Sequence, residues 1–475
     1  MKKVIIISLF VLGMVIPNIS AKAVEVSNED ELRAAIEQGG DINLTQDIVI
    51  TQPLVIDKDV HIDTDGYDAI MMQGDNTLMT INSGNLTLGV DLIAGWSGEY
   101  YTSGDPKNDV VKDQGTALVL NGGAVNLDYN NIKAGKLGLE VNNGTVTGNV
   151  DIEVGKLYYT YPGIRGMIGG QGMIVNGGDV ELNGCNIYSG GTALTVNKGS
   201  NINLVAQDND NGEIRISSYE RNGIEVNDGS IVKLANNAEL GFHTPIIFGM
   251  SNAIYLNGGT ANLSGLIDLS SSDTGHGIYI NKGINTSTKG DVLNLKNDFI
   301  FGYGKETASN FSIYINPDIT ELRVTDEKGF LGLLNNKLNL GFCSNTYSLA
   351  QKSEDEKKAI CENLNANLDG PIESNELGKC TAVYINGVKQ KDADASCNPV
   401  TDNKNEPSQV VNVPATSAYA SIIIITLGIL CVVVSVIVTR RVTRKVKWED
   451  EVFMRRKFNV RQRNYIILGL CSILL

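Results

Sequence analysis

The chain reads as an all-β solenoid of stacked three-strand coils, and three observations lead there. A short phrase of alternating apolar residues, Asn and a nearby Gly recurs at 117–123, 139–144, 173–178, 194–199, 224–229, 254–259 and 278–283, with a fainter copy around Asn82. Measured from Asn to Asn, the steps from Asn82 are 39, 21, 34, 21, 30, 30 and 24 residues. Gly is abundant at 51 residues while Pro is scarce at 10, a composition suited to tight turns between stacked aliphatic strands.

Strict alternation before each Asn describes a strand with one buried face. Asn followed by Gly supplies the left-handed backbone of a tight turn. Self-similarity at such steps in a strand-only pattern marks a solenoid, and the shortest step suits one coil of three strands and three turns. An antiparallel sandwich would not require one turn residue to recur in phase.

The ends carry different signals. Residues 1–23 form a secretory signal: Lys2 and Lys3, an apolar run Val4–Ile16, then Ala21-Lys22-Ala23. Residues 24–41 supply a cap, with a helix over 27–38 that Ser27 caps, Asp30 at the capping-box position, a stripe of Leu32, Ala35 and Ile36, and Gly39-Gly40 as its stop. An amphipathic helix there would cover the open solenoid end. The coils occupy 42–340. Residues 341–400 hold Cys343, Cys361, Cys380 and Cys397, which in an exported segment predict two disulfides with three pairings open. Cys185, inside a coil, is expected to be a buried thiol.

A linker at 401–419 leads to an apolar run at 420–438, about 28 Å of helix and long enough to span a bilayer. Ten Lys/Arg follow within 440–463, placing the C-terminal side in the cytoplasm and predicting a single-pass type I protein at the cell surface. The tail at 439–475 ends in an apolar stub, Tyr465–Leu475. Val413-Pro-Ala-Thr-Ser417 resembles the Leu-Pro-x-Thr-Gly sorting signal of Gram-positive surface proteins, with Val for Leu and Ser for Gly, which would imply cell-wall attachment. The net charge of −15 becomes about −25 once both basic ends are set aside, and so acidic a surface repels nucleic acid.

Within the coils a further strand recurs as Asp91-Leu-Ile-Ala, Asn131-Ile-Lys-Ala, Asp151-Ile-Glu-Val, Asn186-Ile-Tyr-Ser, Glu213-Ile-Arg-Ile and Asp268-Leu-Ser. Period-2 geometry turns Ile and Leu inward, so Lys133, Glu153, Tyr188 and Arg215 should stack along one outer face. Extra residues at Gly95–Val111, Gly155–Gly170, Asp208–Arg221 and Gly241–Met250 lie at similar distances past the turn Asn, which places all four at one corner. The first two are rich in aromatics: Trp96, Tyr100 and Tyr101, then Tyr158, Tyr159 and Tyr161 with Arg165. Flat rings with polar rims suit sugar rings or protein surfaces, so this corner and face form the candidate ligand site.

The Asn-turn, three-strand coil resembles the right-handed parallel β-helix of the pectin-lyase-like superfamily over roughly residues 42–300. The resemblance implies an Asn ladder at one turn and a carbohydrate cleft along the flanking strand and its loops. That superfamily holds enzymes, adhesins and inert stalks, so the fold alone assigns no activity.

Asp273-Thr-Gly-His-Gly looks like the histidine motif of polygalacturonase-type hydrolases. Yet other coils fill the same slot with Gly115-Thr, Gly191-Thr, Asn222-Gly and Asn252-Ala, and the companion Asn-Thr-Asp, Asp-Asp and Arg-x-Lys motifs are missing. His276 therefore reads as an exposed turn residue. A lyase would need Ca²⁺ and a base, for which Asp91, Asp151 and Glu153 with Lys133 and Arg215 are the candidates. No phosphate loop, nucleophile elbow or Cys/His metal spacing occurs. The expectation is a non-enzymatic, cofactor-free surface protein, an adhesin or glycan-binding module facing a glycan, host or neighbour-cell surface. The alternative is a membrane-tethered polysaccharide lyase or glycoside hydrolase.

Overall fold

The computed structural model describes residues 23–66, 68–95, 100–101, 115–160, 164–207, 212–237, 245–272, 275–282, 291–302, 313–327, 329, 331–340 and 372–397. The signal at 1–23 lies almost wholly outside these residues. So do the linker, the apolar run 420–438, the basic tail and Val413–Ser417. Among the described residues no helix is long and apolar enough to cross a membrane.

The described strands gather into one sheet of 19, a second of 13 and a small one of 3. Pairing within the two large sheets is parallel along the repeats, an arrangement compatible with a β-helix solenoid. One coil shows the path. Thr116–Leu120 lies in the second sheet, the chain turns at Asn121–Gly123, and Ala124–Ala134 crosses the large sheet. It then returns to Leu137–Val141, where Leu118 faces Leu139 and Leu120 faces Val141. Inward positions repeat faithfully: Ile132, Ile152, Ile187 and Ile216 stack in register and are buried. They belong to one apolar core running from Val26 to Ile385.

The second and third strands of a coil are fused in several repeats, as in Ala124–Ala134, Thr145–Val154 and Asp179–Ser189. Each fused strand bends at a bulge, where one extra residue re-aims the chain. Gly148 sits at one such bend with φ 111°, and a Cβ there would lie 1.9 Å from the Leu127 carbonyl oxygen. Only glycine fits that contact.

The Asn turn is a continuous ladder. Asn121 Nδ2 donates to Asn82 Oδ1 at 3.1 Å, and the pattern continues through Asn142 and Asn176 (3.1 Å each) and Asn197 (3.0 Å). Asn227 and Asn257 follow at 2.8 Å, then Asn281 and Asn316 at 2.9 Å. Each amide from Asn121 to Asn281 donates to the coil before and accepts from the coil after, so the side chains satisfy one another.

The ends require two corrections. The cap helix spans Glu29–Gln38 with Asn28 as its N-cap, one residue later than expected from Ser27. Asn28 Oδ1 accepts from Glu31 N–H at 3.0 Å, and Glu31 Oε2 accepts from Ser27 N–H at 2.9 Å. The longer Glu31, rather than Asp30, closes the box, while the buried stripe Leu32, Ala35 and Ile36 is as the pattern predicts. The coil stack also continues past 340: Glu321–Asp326 pairs in parallel with Ala382–Ile385. Antiparallel strands Leu331–Leu334, Lys337–Leu340 and Ile372–Glu376 then close that end. One of the expected disulfides is present: Cys380 and Cys397 are bonded with Cα atoms 5.4 Å apart, while Cys343 and Cys361 lie outside the described residues. Cys185 is a buried free thiol, with burial pushing its pKa up to about 12.

Candidate functional site

The outer face of the large sheet between bend and corner carries the residues singled out by sequence. Lys133 faces Glu153 and Glu153 faces Tyr188 across neighbouring strands. Lys133 Nζ lies 3.8 Å from Glu153 Oε2. Arg215 is displaced from the expected row: Tyr188 faces Ser217, and Arg215 faces Asn186. The slip is two residues, because Ile214 and Ile216 fill the inward slots of Cys185 and Ile187 and the alternation is blind to a shift of two. Arg215 still reaches this cluster. Its Nη2 lies 2.8 Å from Glu213 Oε1, and it hydrogen-bonds Tyr188 diagonally. Burial raises the Tyr188 phenol pKa, opposed by the Arg215 charge.

Beside this row runs a second one, Asp91, Asn131, Asp151 and Asn186, of which the sequence singled out only Asp91 and Asp151, as candidate Ca²⁺ ligands. Asn131 donates from its backbone N–H to Asp91 Oδ1 at 2.8 Å and from Nδ2 to both carboxylate oxygens at 3.1 Å. Asn186 Nδ2 donates to Asp151 Oδ1 at 2.7 Å. The signal was present in the Asp/Asn that begins each copy of the recurring strand. The row continues through Arg215 and Ile246 to Asp268, whose Oδ1 is buried without a partner. Burial pushes the Asp268 pKa up to about 6.

At the bend these elements enclose a hollow of about 200 Å³ lined by Tyr129, Asn131, Asn149, Asp151, Asn186 and Glu213, among others. Tyr129 is the extra residue of its bulge, held at φ 57° and well exposed. Burial in the hollow raises the Asp151 pKa, the Asn186 hydrogen bond opposes this, and the Glu153 and Glu213 charges add to the rise.

The aromatic insertions meet in space by their backbones. Lys156–Thr160 leaves directly from the strand bearing Glu153 at Gly155 and pairs antiparallel with Ile164–Ile168, placing Tyr159 opposite Arg165. Tyr100 and Tyr101 pair in parallel with Tyr158 and Tyr159. Two tyrosine pairs 58 residues apart in sequence thus lie side by side on adjacent strands. Trp96 and Tyr161 lie outside the described residues. The hairpin returns at Gly169, whose N–H donates to Glu220 Oε2 at 3.2 Å.

The four insertions do not share one corner. Those after Ala94 and Val154 leave at the corner between the two large sheets. Those after Gln207 and Asn237 leave at the bend, because Ile214–Ser218 and Ile246–Gly249 are regular strands of the large sheet. Counting from the turn Asn could not separate the two, since the displaced strands alternate like the rest. The chain therefore leaves the sheet on both sides of the polar face.

His276 requires a further correction. It opens the strand His276–Lys282, half-buried, with its ring 4.8 Å from Tyr314 at 22° and 5.7 Å from Tyr279. Tyr255, Tyr279 and Tyr314 occupy one row of the second sheet with centroids 5.2 and 4.7 Å apart. The rings pack chiefly on one another, as cross-strand aromatic neighbours do.

No family model, no characterised protein and no solved structure matches the chain. Among the described residues no group of three or more His, Cys, Asp or Glu gathers as metal ligands would.

Proposed function

We propose that the chain is a non-enzymatic cell-surface protein whose coils form a right-handed parallel β-helix of the pectin-lyase-like kind and bind a glycan. In this reading residues 1–23 direct export, 420–438 anchor the chain, and the basic tail faces the cytoplasm. The observation that carries the proposal is the three-stranded sheet joining Tyr100–Tyr101 to Lys156–Thr160 beside the polar face. Two separate insertions converge there on one aromatic-rich edge, bordered by carboxylate, amide and phenol groups that can hydrogen-bond sugar hydroxyls. The candidate bases Lys133 and Arg215 are each held by a carboxylate, which suits a binding surface better than proton abstraction.

A glycan array probed with the purified protein tests this. Binding to a defined glycan class is expected, lost in Trp96→Ala and Tyr159→Ala; binding that survives both substitutions would remove the aromatic edge from the account. Incubation with polyuronides, with and without Ca²⁺, addresses the lyase alternative. Appearance of an unsaturated, ultraviolet-absorbing product would replace this proposal with that one.

A further inference from the structure

The hollow at the bend restricts what kind of glycan the face accepts. Its lining carries the Asp151 and Glu213 carboxylates, the side-chain amides of Asn131, Asn149 and Asn186 and the Tyr129 hydroxyl. The two basic side chains of this face are already engaged, Lys133 with Glu153 and Arg215 with Glu213. Among the described residues Asp151 makes no ion pair and takes its hydrogen bonds from Asn186, while the Glu153 and Glu213 charges both act on it. The carbonyl oxygen Oδ1 of Asn186, beside it, is buried and lacks a donor. A guest that adds negative charge would deepen the repulsion; one that brings N–H donors and a positive charge would relieve it.

We propose that this hollow is a subsite for a protonated amine, so that the glycan recognised is an amino-sugar polymer bearing free amino groups. This inference rests on the glycan-binding reading and narrows it. The size fits: about 200 Å³ is far more than a single water needs. An ammonium offers three donors, enough for the Asp151 carboxylate and neighbouring amide carbonyls together. Tyr129 stands exposed at the rim in a left-handed conformation that costs a non-glycine residue energy, and its ring can lie against a cation or a sugar face. A bare divalent ion would ask for a denser ligand set than the described residues assemble. Polyuronides are disfavoured by the net charge of −15 as well as by the lining.

Calorimetric titration of the full-length protein at pH 6 with three probes tests this: a fully deacetylated glucosamine hexamer, its fully N-acetylated counterpart and a galacturonate hexamer. The deacetylated hexamer should bind about tenfold or more tightly than the acetylated one, and galacturonate should not bind. Asp151→Asn should erase that preference, whereas Asp179→Asn, at the far end of the neighbouring strand, should leave it intact. If Asp151→Asn does not fold, Tyr129→Gly, which the left-handed backbone accommodates, should weaken the deacetylated probe several-fold with unchanged stability. Equal affinity for acetylated and deacetylated hexamers would overturn the amine subsite and leave the glycan reading standing. Failure of every glycan to bind would overturn both. A lysine-containing peptide or Ca²⁺ that displaces the deacetylated hexamer at equal or lower concentration would overturn the assignment to a sugar amine.

Discussion

Replacing Asn197 by alanine removes two rungs of the side-chain ladder at once. Asn197 Nδ2 donates to Asn176 Oδ1 at 3.0 Å and Asn197 Oδ1 accepts from Asn227 Nδ2 at 2.8 Å. Each net hydrogen bond contributes about 1 kcal/mol, and leaving a half-buried partner unmatched adds to that, so the expected cost is about 2–4 kcal/mol. Asn82 begins the ladder and is exposed, losing only the bond from Asn121. Asn82→Ala should therefore cost no more than about 1 kcal/mol. Urea unfolding followed by circular dichroism gives the comparison, and amide hydrogen exchange locates it. Coils contact only their neighbours, so faster exchange should concentrate in the strands Gln171–Val175, Leu194–Val196 and Ile224–Asn227. Asn197→Asp should be worse than alanine, because its carboxylate faces the Asn176 carbonyl oxygen without a donor. Equal costs for Asn82→Ala and Asn197→Ala, or exchange unchanged in those strands, would refute the view that the ladder sets coil register energetically.

Asp268 predicts an unusual pH dependence. Its folded pKa of about 6 lies above the ordinary 3.8, so between those values the native state holds a proton that the unfolded chain has lost. Stability from this group is fully present below about pH 4 and is lost as pH rises through about 6. The span corresponds to at most about 3 kcal/mol, and to about 1–2 after allowance for partial exposure. Asp268→Asn should thus stabilise the protein by that amount at pH 7 and have little effect at pH 4, read from urea midpoints at the two values. Gly148→Ala should cost about 2 kcal/mol or more in the same assay, since its φ is left-handed and its Cβ would collide with the Leu127 carbonyl. Reducing Cys380–Cys397, which closes a 17-residue separation, should cost about 3 kcal/mol, with exchange rising in Ala382–Ile385 and Val388–Lys391 before the central coils.

The parts of this fold that follow from local chemistry were legible in the chain. Alternation and the Asn-Gly turn located the strands and the ladder, because both recur in phase. Asn316 escaped notice because Pro317, not Gly, follows it; its amide still extends the ladder. The outward rows were read correctly as far as Tyr188. They slipped by two at Arg215, where period-2 patterning fits either register and only pairing between coils decides. The insertions were misassigned to one corner for the same reason. A displaced strand such as Ile246–Gly249 carries no local mark that it belongs to the sheet rather than to a loop. The meeting of Tyr100–Tyr101 with Tyr158–Tyr159 is a long-range pairing that no local pattern encodes. His276 looked like a turn residue because other coils fill its slot with Gly-Thr, Asn-Gly or Asn-Ala, yet parallel pairing with Asn252 draws it into a strand.

The central claim is that glycan binds along the polar face between bend and corner, beside the aromatic-rich strands. Hydrogen exchange measured with and without a saturating oligosaccharide tests it most directly. The account predicts protection of Lys156–Thr160 and Ile164–Ile168, together with the face strands around Lys133, Glu153 and Tyr188. Protection confined to the second sheet around Tyr255, Tyr279 and Tyr314, with the face strands unchanged, would contradict it.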